Sequence, residues 1–163
     1  MADLALLDGA GATGLVFALA DDPGTRLAWV EPAPGAAPTG GTPTGALLYR
    51  AILRVGAEGV EAPFLYTVEQ DVEPGREEEL NAWYADEHIP RLAAVPGVLS
   101  ARRFLALDAG TSPRYLAAYR LERREVFESP TWIEARETPW TRRARTFFRN
   151  PRRTMRRLVP AGA

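Results

Sequence analysis

The chain has 163 residues, a formal charge of -1, 46% hydrophobic and 25% charged residues, which suits one ordinary soluble domain, or one domain plus a partial second one, and disfavours a disordered or membrane class. It has no cysteine, one histidine, and twenty arginines with no lysine, so disulfide frameworks, thiolate nucleophiles, cysteine zinc sites, Schiff-base lysines and a P-loop lysine are excluded together. No apolar run approaches the roughly 20 residues that span a bilayer, and Asp3 and Asp8 stand where a signal peptide carries positive charge, so a cytoplasmic protein is expected.

In chain order, "GLVFALA" and "RLAWVE" read as two strands joined by "DDPGT", whose Pro-Gly suits a turn. Residues 32–45, "PAPGAAPTGGTPTG", have the composition of a loop or flexible linker. "GALLYRAILRV" follows as a third strand. "FLYTVEQDV", bounded by Pro63 and Pro74, is rich in β-formers and reads as a strand. Pro74 with Glu77, Glu78 and Glu79 opens a helix, because acids favour the positive end of the helix dipole. Leu80, Trp83, Tyr84 and Glu87 or His88 recur at helical spacing, and Pro90, which lacks an N–H, is expected to stop the helix near His88. "GVLSARRFLAL" and "PRYLAAYRLE" are strands around the turn "DAGTS". Ser129-Pro130 and Thr138-Pro139 each pair a capping residue with a proline, predicting two short helices, and "RRTMRRLV" closes as a strand.

From residue 63 the order is β-α-β-β-α-β, the ferredoxin-like motif of an α+β domain. Residues 1–62 are expected as a strand-rich extension. "RLAWVEPAPG" with "GALLYRAILRV" runs parallel to "RFLALDAGTS" with "PRYLAAYRLE", so the extension reads either as a degenerate half repeat or as alternating strands that only extend the sheet. One sheet with helices on one face leaves its other face to be buried, and a second copy of the chain is the expected cover.

The block W-Y-x-x-E-H-I-P at residues 83–90, followed by "VPGVLSARRF", "PRYLAAYRLE", S-P-x-W and P-W-x-R, resembles the EthD-like branch of the dimeric α/β-barrel superfamily over residues 63 to 159. The resemblance implies a ferredoxin-like protomer, residues 63–163, that forms a barrel with a twin as a homodimer. It also implies functions as varied as isomerases, polyketide cyclases, cofactor-free monooxygenases and haem-binding members.

His88 has an unperturbed pKa near neutrality and can act as acid or base, and Tyr84, four residues earlier, shares its helix face. The leading expectation is therefore a cofactor-independent isomerase, cyclase or lyase acting on a small hydrophobic, aromatic or polyketide-like compound, with His88 moving the proton and Tyr84 orienting the substrate. Trp83, Trp132, Trp140 and Tyr66 are candidate cavity walls, and Arg102, Arg103 or Arg142 could hold an anionic group. The alternatives are a non-catalytic binding protein with a structural His88, and a haem protein with His88 as axial ligand. "RRARTFFRNPRRTMRR" could attract phosphates, but with acidic "EPGREEE" in the same domain ion pairing explains it more simply, and neither nucleic acid nor membrane is an expected partner.

Overall fold

The computed structural model describes residues 46–57 and 60–159, together with the strand segments 4–8, 15–19 and 26–30. The Pro/Gly/Thr linker at 32–45 and the "DDPGT" turn lie outside the described residues. The chain order is β1 (Leu4–Asp8), β2 (Leu15–Leu19), β3 (Arg26–Val30), β4 (Leu47–Gly56), β5 (Phe64–Val72), α1 (Glu77–Trp83), a π-helical turn (Tyr84–His88), α2 (Ile89–Ala93), β6 (Val98–Ala106), β7 (Tyr115–Leu121), a 3₁₀ turn (Arg124–Glu128), α3 (Pro130–Arg136), α4 (Pro139–Arg145) and β8 (Phe148–Leu158).

All eight strands hydrogen-bond into one closed barrel, β1-β3-β2-β8-β5-β7-β6-β4. Read from β4, the first half runs β4-β1-β3-β2 and the second β8-β5-β7-β6, each in the order fourth, first, third, second. The halves therefore share the ferredoxin strand order, as a half repeat requires, and two antiparallel seams join them, β2 with β8 and β4 with β6. The hairpin likeness in the sequence matched the wrong strands: β6 and β7 pair with each other, whereas β3 pairs with β1 and β2, and β4 with β1 and β6. The strand Leu4–Asp8 was also unexpected. The sheet face for which a twin was invoked is enclosed by strands of the same chain.

Closure gives the sheet two buried faces, so β7 is buried at every position. Alternation sends Leu65, Phe104, Leu116 and Ala118 into the barrel with Trp29 and Tyr49. Tyr66, Val68, Ala101 and Tyr119 point the other way, into a larger core under the helices with Leu80, Trp83 and Trp132. Among the described residues no helix is long and apolar enough to cross a membrane.

Ser129 and Thr138 cap α3 and α4 as expected, accepting from the N–H of Trp132 and Thr141. The helix does not stop at His88. Ile89 bonds back to the Tyr84 carbonyl, five residues away, so the π turn absorbs the disturbance that Pro90 brings, and α2 continues to Ala93. Pro90 then occupies the first turn of α2, where a missing N–H costs least.

Gly97, between α2 and β6, has φ +90°, and a Cβ there would sit 2.5 Å from Cγ2 of the buried Val126. Gly75, at φ +82°, has nothing within 4 Å of such a Cβ. Gly97→Ala is expected to lower stability by about 1–3 kcal/mol and by more than Gly75→Ala, the difference being the Val126 clash. Urea unfolding midpoints of the two variants check this; equal losses would mean that backbone conformation alone sets the cost.

Candidate functional site

A pocket of roughly 430 Å³, part of it open solvent at the mouth, lies between the sheet and the helices. The helical wall is Trp83, Tyr84 and His88. Their arrangement follows from the π turn, which brings residues five apart onto one face. The His88 ring stacks on Trp83 at 4.1 Å and 27°, and meets Tyr84 edge-on at 5.5 Å and 80°. The expected contact between Tyr84 and His88 thus exists between rings, not as a hydrogen bond, because the Tyr84 hydroxyl donates to Oε1 of Gln70 at 3.3 Å.

The sheet floor is Tyr66 and Val68 on β5 and Tyr119 on β7, with Tyr66 opposite Tyr119 in the ladder and their rings stacked 6.0 Å apart. Trp132 of α3 stands edge-on to both, at 6.0 Å from Tyr66 and 5.4 Å from Tyr119, and Phe127, Leu92 and Phe148 complete the apolar lining. Three arginines, Arg136 at the end of α3, Arg145 at the end of α4 and Arg153 on β8, also line the pocket.

Three polar atoms in this aromatic setting are sealed from solvent with no hydrogen-bond partner among the described residues: Nδ1 of His88, the hydroxyl of Tyr119 and Nε1 of Trp132. A buried polar atom left unpaired costs about 1–3 kcal/mol, so three in one pocket mark a place where something polar is to be met.

The electrostatics follow from burial. His88 is pulled down to about 3, first by burial and then by the positive field of Arg145, Arg103 and Arg136, so its imidazole is neutral near pH 7. Burial pushes Tyr84 up to about 12, Tyr119 well above its usual value, and Tyr66 upward. At neutral pH the pocket therefore offers neutral hydrogen-bonding groups, with guanidinium as the only cation among the described residues that line it.

Of the residues expected from sequence, Tyr66, Trp83, Tyr84, His88 and Trp132 line this pocket together. Trp140, on α4, packs half-buried against the core beneath the helices and is not part of the lining. Arg102 belongs to the opposite face of β6 and donates to the Ala57 carbonyl at 3.2 Å. Arg103 lies behind the pocket wall, 4.1 Å over the Tyr84 ring and 4.7 Å over Tyr115, with Nη1 bonded to Asn81. Arg142 is exposed on α4 away from the pocket. Sequence reasoning missed Tyr119 and the three pocket arginines. The ferredoxin strand order was the available signal for Tyr119, since it sets the first strand beside the third. Among the described residues no group of three or more His, Asp or Glu side chains is placed to hold a metal ion.

No family model matches the chain, and no curated protein matches its sequence. Solved structures do match its shape. A major regulator of staphylococcal pathogenesis superposes with a TM-score of 0.66 at 15% identity, over 96% of this chain and 99% of that one. LmHde, a heme-degrading enzyme from Listeria monocytogenes, gives 0.62 at 10% identity, over 95% and 99%. The fold is that of the ferredoxin-like α/β barrels. An anthrone oxidase-like protein shares this barrel with a TM-score of 0.59 at 14% identity, over 100% of this chain and 81% of that one.

Proposed function

We propose that the protein binds a planar phenolic or anthrone-like compound between its sheet and helices and promotes its oxidation by molecular oxygen, a monooxygenase-type activity in which the substrate loses two hydrogens and gains one oxygen to become a quinone while the other oxygen atom leaves as water. The observation that carries this reading is the set of three sealed, unpartnered polar atoms on His88, Tyr119 and Trp132 inside an aromatic pocket. Aromatic walls suit a flat ring, and the polar atoms suit a ring oxygen. Tyr119 and Trp132 can donate to that oxygen, as can His88 in the tautomer protonated at Nδ1. The nearby arginines offset part of what burial costs its ionised form, and an aryl oxide yields an electron to oxygen more readily than the neutral phenol does. Kinship in fold with an anthrone oxidase-like protein supports the same chemistry.

In this reading His88 orients and stabilises. An imidazole pulled down to about 3 has no proton to give near neutrality, which weighs against an isomerase, cyclase or lyase with His88 as acid. The EthD-like resemblance of W-Y-x-x-E-H-I-P belongs with the proposal, since it supplies Trp83, Tyr84 and His88. All pocket residues fall within 63–163, the unit that we take to carry function, while the strands of residues 1–62 complete the barrel.

The test is spectroscopic. Bound 1-naphthol is expected to quench tryptophan fluorescence, and anthrone is expected to consume oxygen faster with protein present than without. Tyr119→Phe should weaken both by about tenfold, the worth of one hydrogen bond to a charged group. Failure of both compounds to bind would remove the proposal.

The neutral, unpartnered nitrogen of His88 favours haem as a second reading, and the fold is shared with a heme-degrading enzyme. His88 would take the iron and Arg153 a propionate, and the bound group would supply oxygen activation. A Soret band on adding hemin, lost in His88→Ala, would select this reading.

A further inference from the structure

The chain is nearly neutral, and elsewhere on its surface arginines find carboxylates: Arg143 with Glu79 at 2.5 Å, Arg149 with Glu73 at 2.9 Å, Arg123 with Glu122 at 2.8 Å. The pocket departs from that pattern. Arg136 and Arg145 share one carboxylate, Glu137, at 3.3 and 3.0 Å. Arg153, exposed on β8 opposite Val68 in the ladder, has no ion pair among the described residues. Three guanidinium groups thus face one carboxylate at the edge of an aromatic pocket. Ladder partners share a face, so Arg153 rises beside the floor formed by Tyr66 and Val68.

Resting on the reading of a planar aromatic ligand, we propose that this ligand is an aromatic carboxylate, with its ring against Tyr66, Tyr119 and Trp132 and its carboxylate held by Arg153, beside Arg136 and Arg145. Guanidinium offers a planar pair of donors that matches a carboxylate and keeps its charge at every working pH. Because Arg153 is exposed, its hold weakens as salt rises. The two ends of the site then read different groups of one molecule, the sealed polar atoms its ring oxygen and the arginines its acid. Specificity for the acid resides in Arg153, the pocket cation with no ion-pair partner to give up among the described residues.

The experiment compares 2-naphthoate with 2-naphthalenemethanol, which share a ring and differ in charge. Binding is read from tryptophan fluorescence and from the ring proton of His88, the chain's single histidine. Naphthoate is expected to bind about tenfold more tightly at low salt, the order of one charge-assisted contact. Arg153→Gln should abolish that advantage with the unfolding midpoint unchanged, and Arg149→Gln, away from the pocket, should leave it intact. Equal binding of acid and alcohol would overturn the carboxylate proposal and leave the aromatic pocket standing. Binding of neither, with no displacement of the His88 resonance, would overturn both.

Discussion

His88→Gln is expected to flatten the fall in stability between pH 6.5 and 5. The folded protein holds His88 near 3, whereas the unfolded chain protonates it near 6.5. Above pH 6.5 neither state carries the proton, and His88 contributes nothing to the pH dependence. Below 6.5 the unfolded chain takes up a proton that the folded chain refuses, so stability drops by up to about 1.4 kcal/mol per pH unit until the folded pKa is reached. From pH 6.5 to 5 that amounts to about 2 kcal/mol, less whatever solvent relieves at the partly exposed edge of the ring. The window separates His88 from the carboxylates: Asp71 and Glu79 are both held below their ordinary values and add their own losses only at lower pH. Urea unfolding at pH 7.5, 6 and 5 gives the slope for both proteins. A wild-type slope no steeper than the variant's would mean that His88 nitrogen meets water in the folded state.

Trp83→Ala is expected to cost about 3–5 kcal/mol and to raise the pKa of His88 toward 6.5. Trp83 is 1% exposed, stacks on His88, lies 4.5 Å from Tyr84 and 6.0 Å from Phe148, and donates from Nε1 to Oγ1 of Thr141 at 3.3 Å. Removing it leaves a cavity that the rigid sheet floor cannot fill. It also opens one face of the imidazole to water, and burial is the largest cause of the low His88 pKa. Thermal unfolding and an NMR titration of the His88 ring proton read the two effects separately. Trp83→Phe should restore most of the stacking without the bond to Thr141, placing it between wild type and Ala on both measurements. A His88 pKa that stayed near 3 in the Ala variant would assign its desolvation to residues other than Trp83.

Local signals made the second half of the fold legible. Strands β5 to β7 and the two proline-led helices declare themselves through β-rich runs and capping pairs, and the aromatic wall declares itself through helical spacing. The π turn was illegible because Pro90 reads as a stop; that the register could shift by one residue and continue depends on how well Ile89 and Leu92, at 0% and 1% exposure, pack once it does. The pocket arginines were hidden for another reason. "TRRARTFFRNPRRTMRR" offers many guanidinium groups, and Arg153 faces the pocket through the register of β8 against β5, which shifts between Glu69 and Asp71. Register is a tertiary property, and no local pattern in β8 encodes it. Leu4–Asp8 was missed because its "LALLD" run lacks the alternation that marks a strand.

The position of β8 in the barrel bears on how the protein is made. β8 is the last of the eight described strands to be synthesised, yet it hydrogen-bonds β5 on one side and β2 on the other, joining Phe17 to Leu158 across most of the sequence. While the polypeptide is emerging from the ribosome, β2 and β5 both wait with open edges, and such edges invite pairing with a neighbouring nascent chain. Arginine at five of the eleven β8 positions keeps the late-arriving strand strongly charged until it docks, a guard against aggregation during the interval in which the barrel is unfinished.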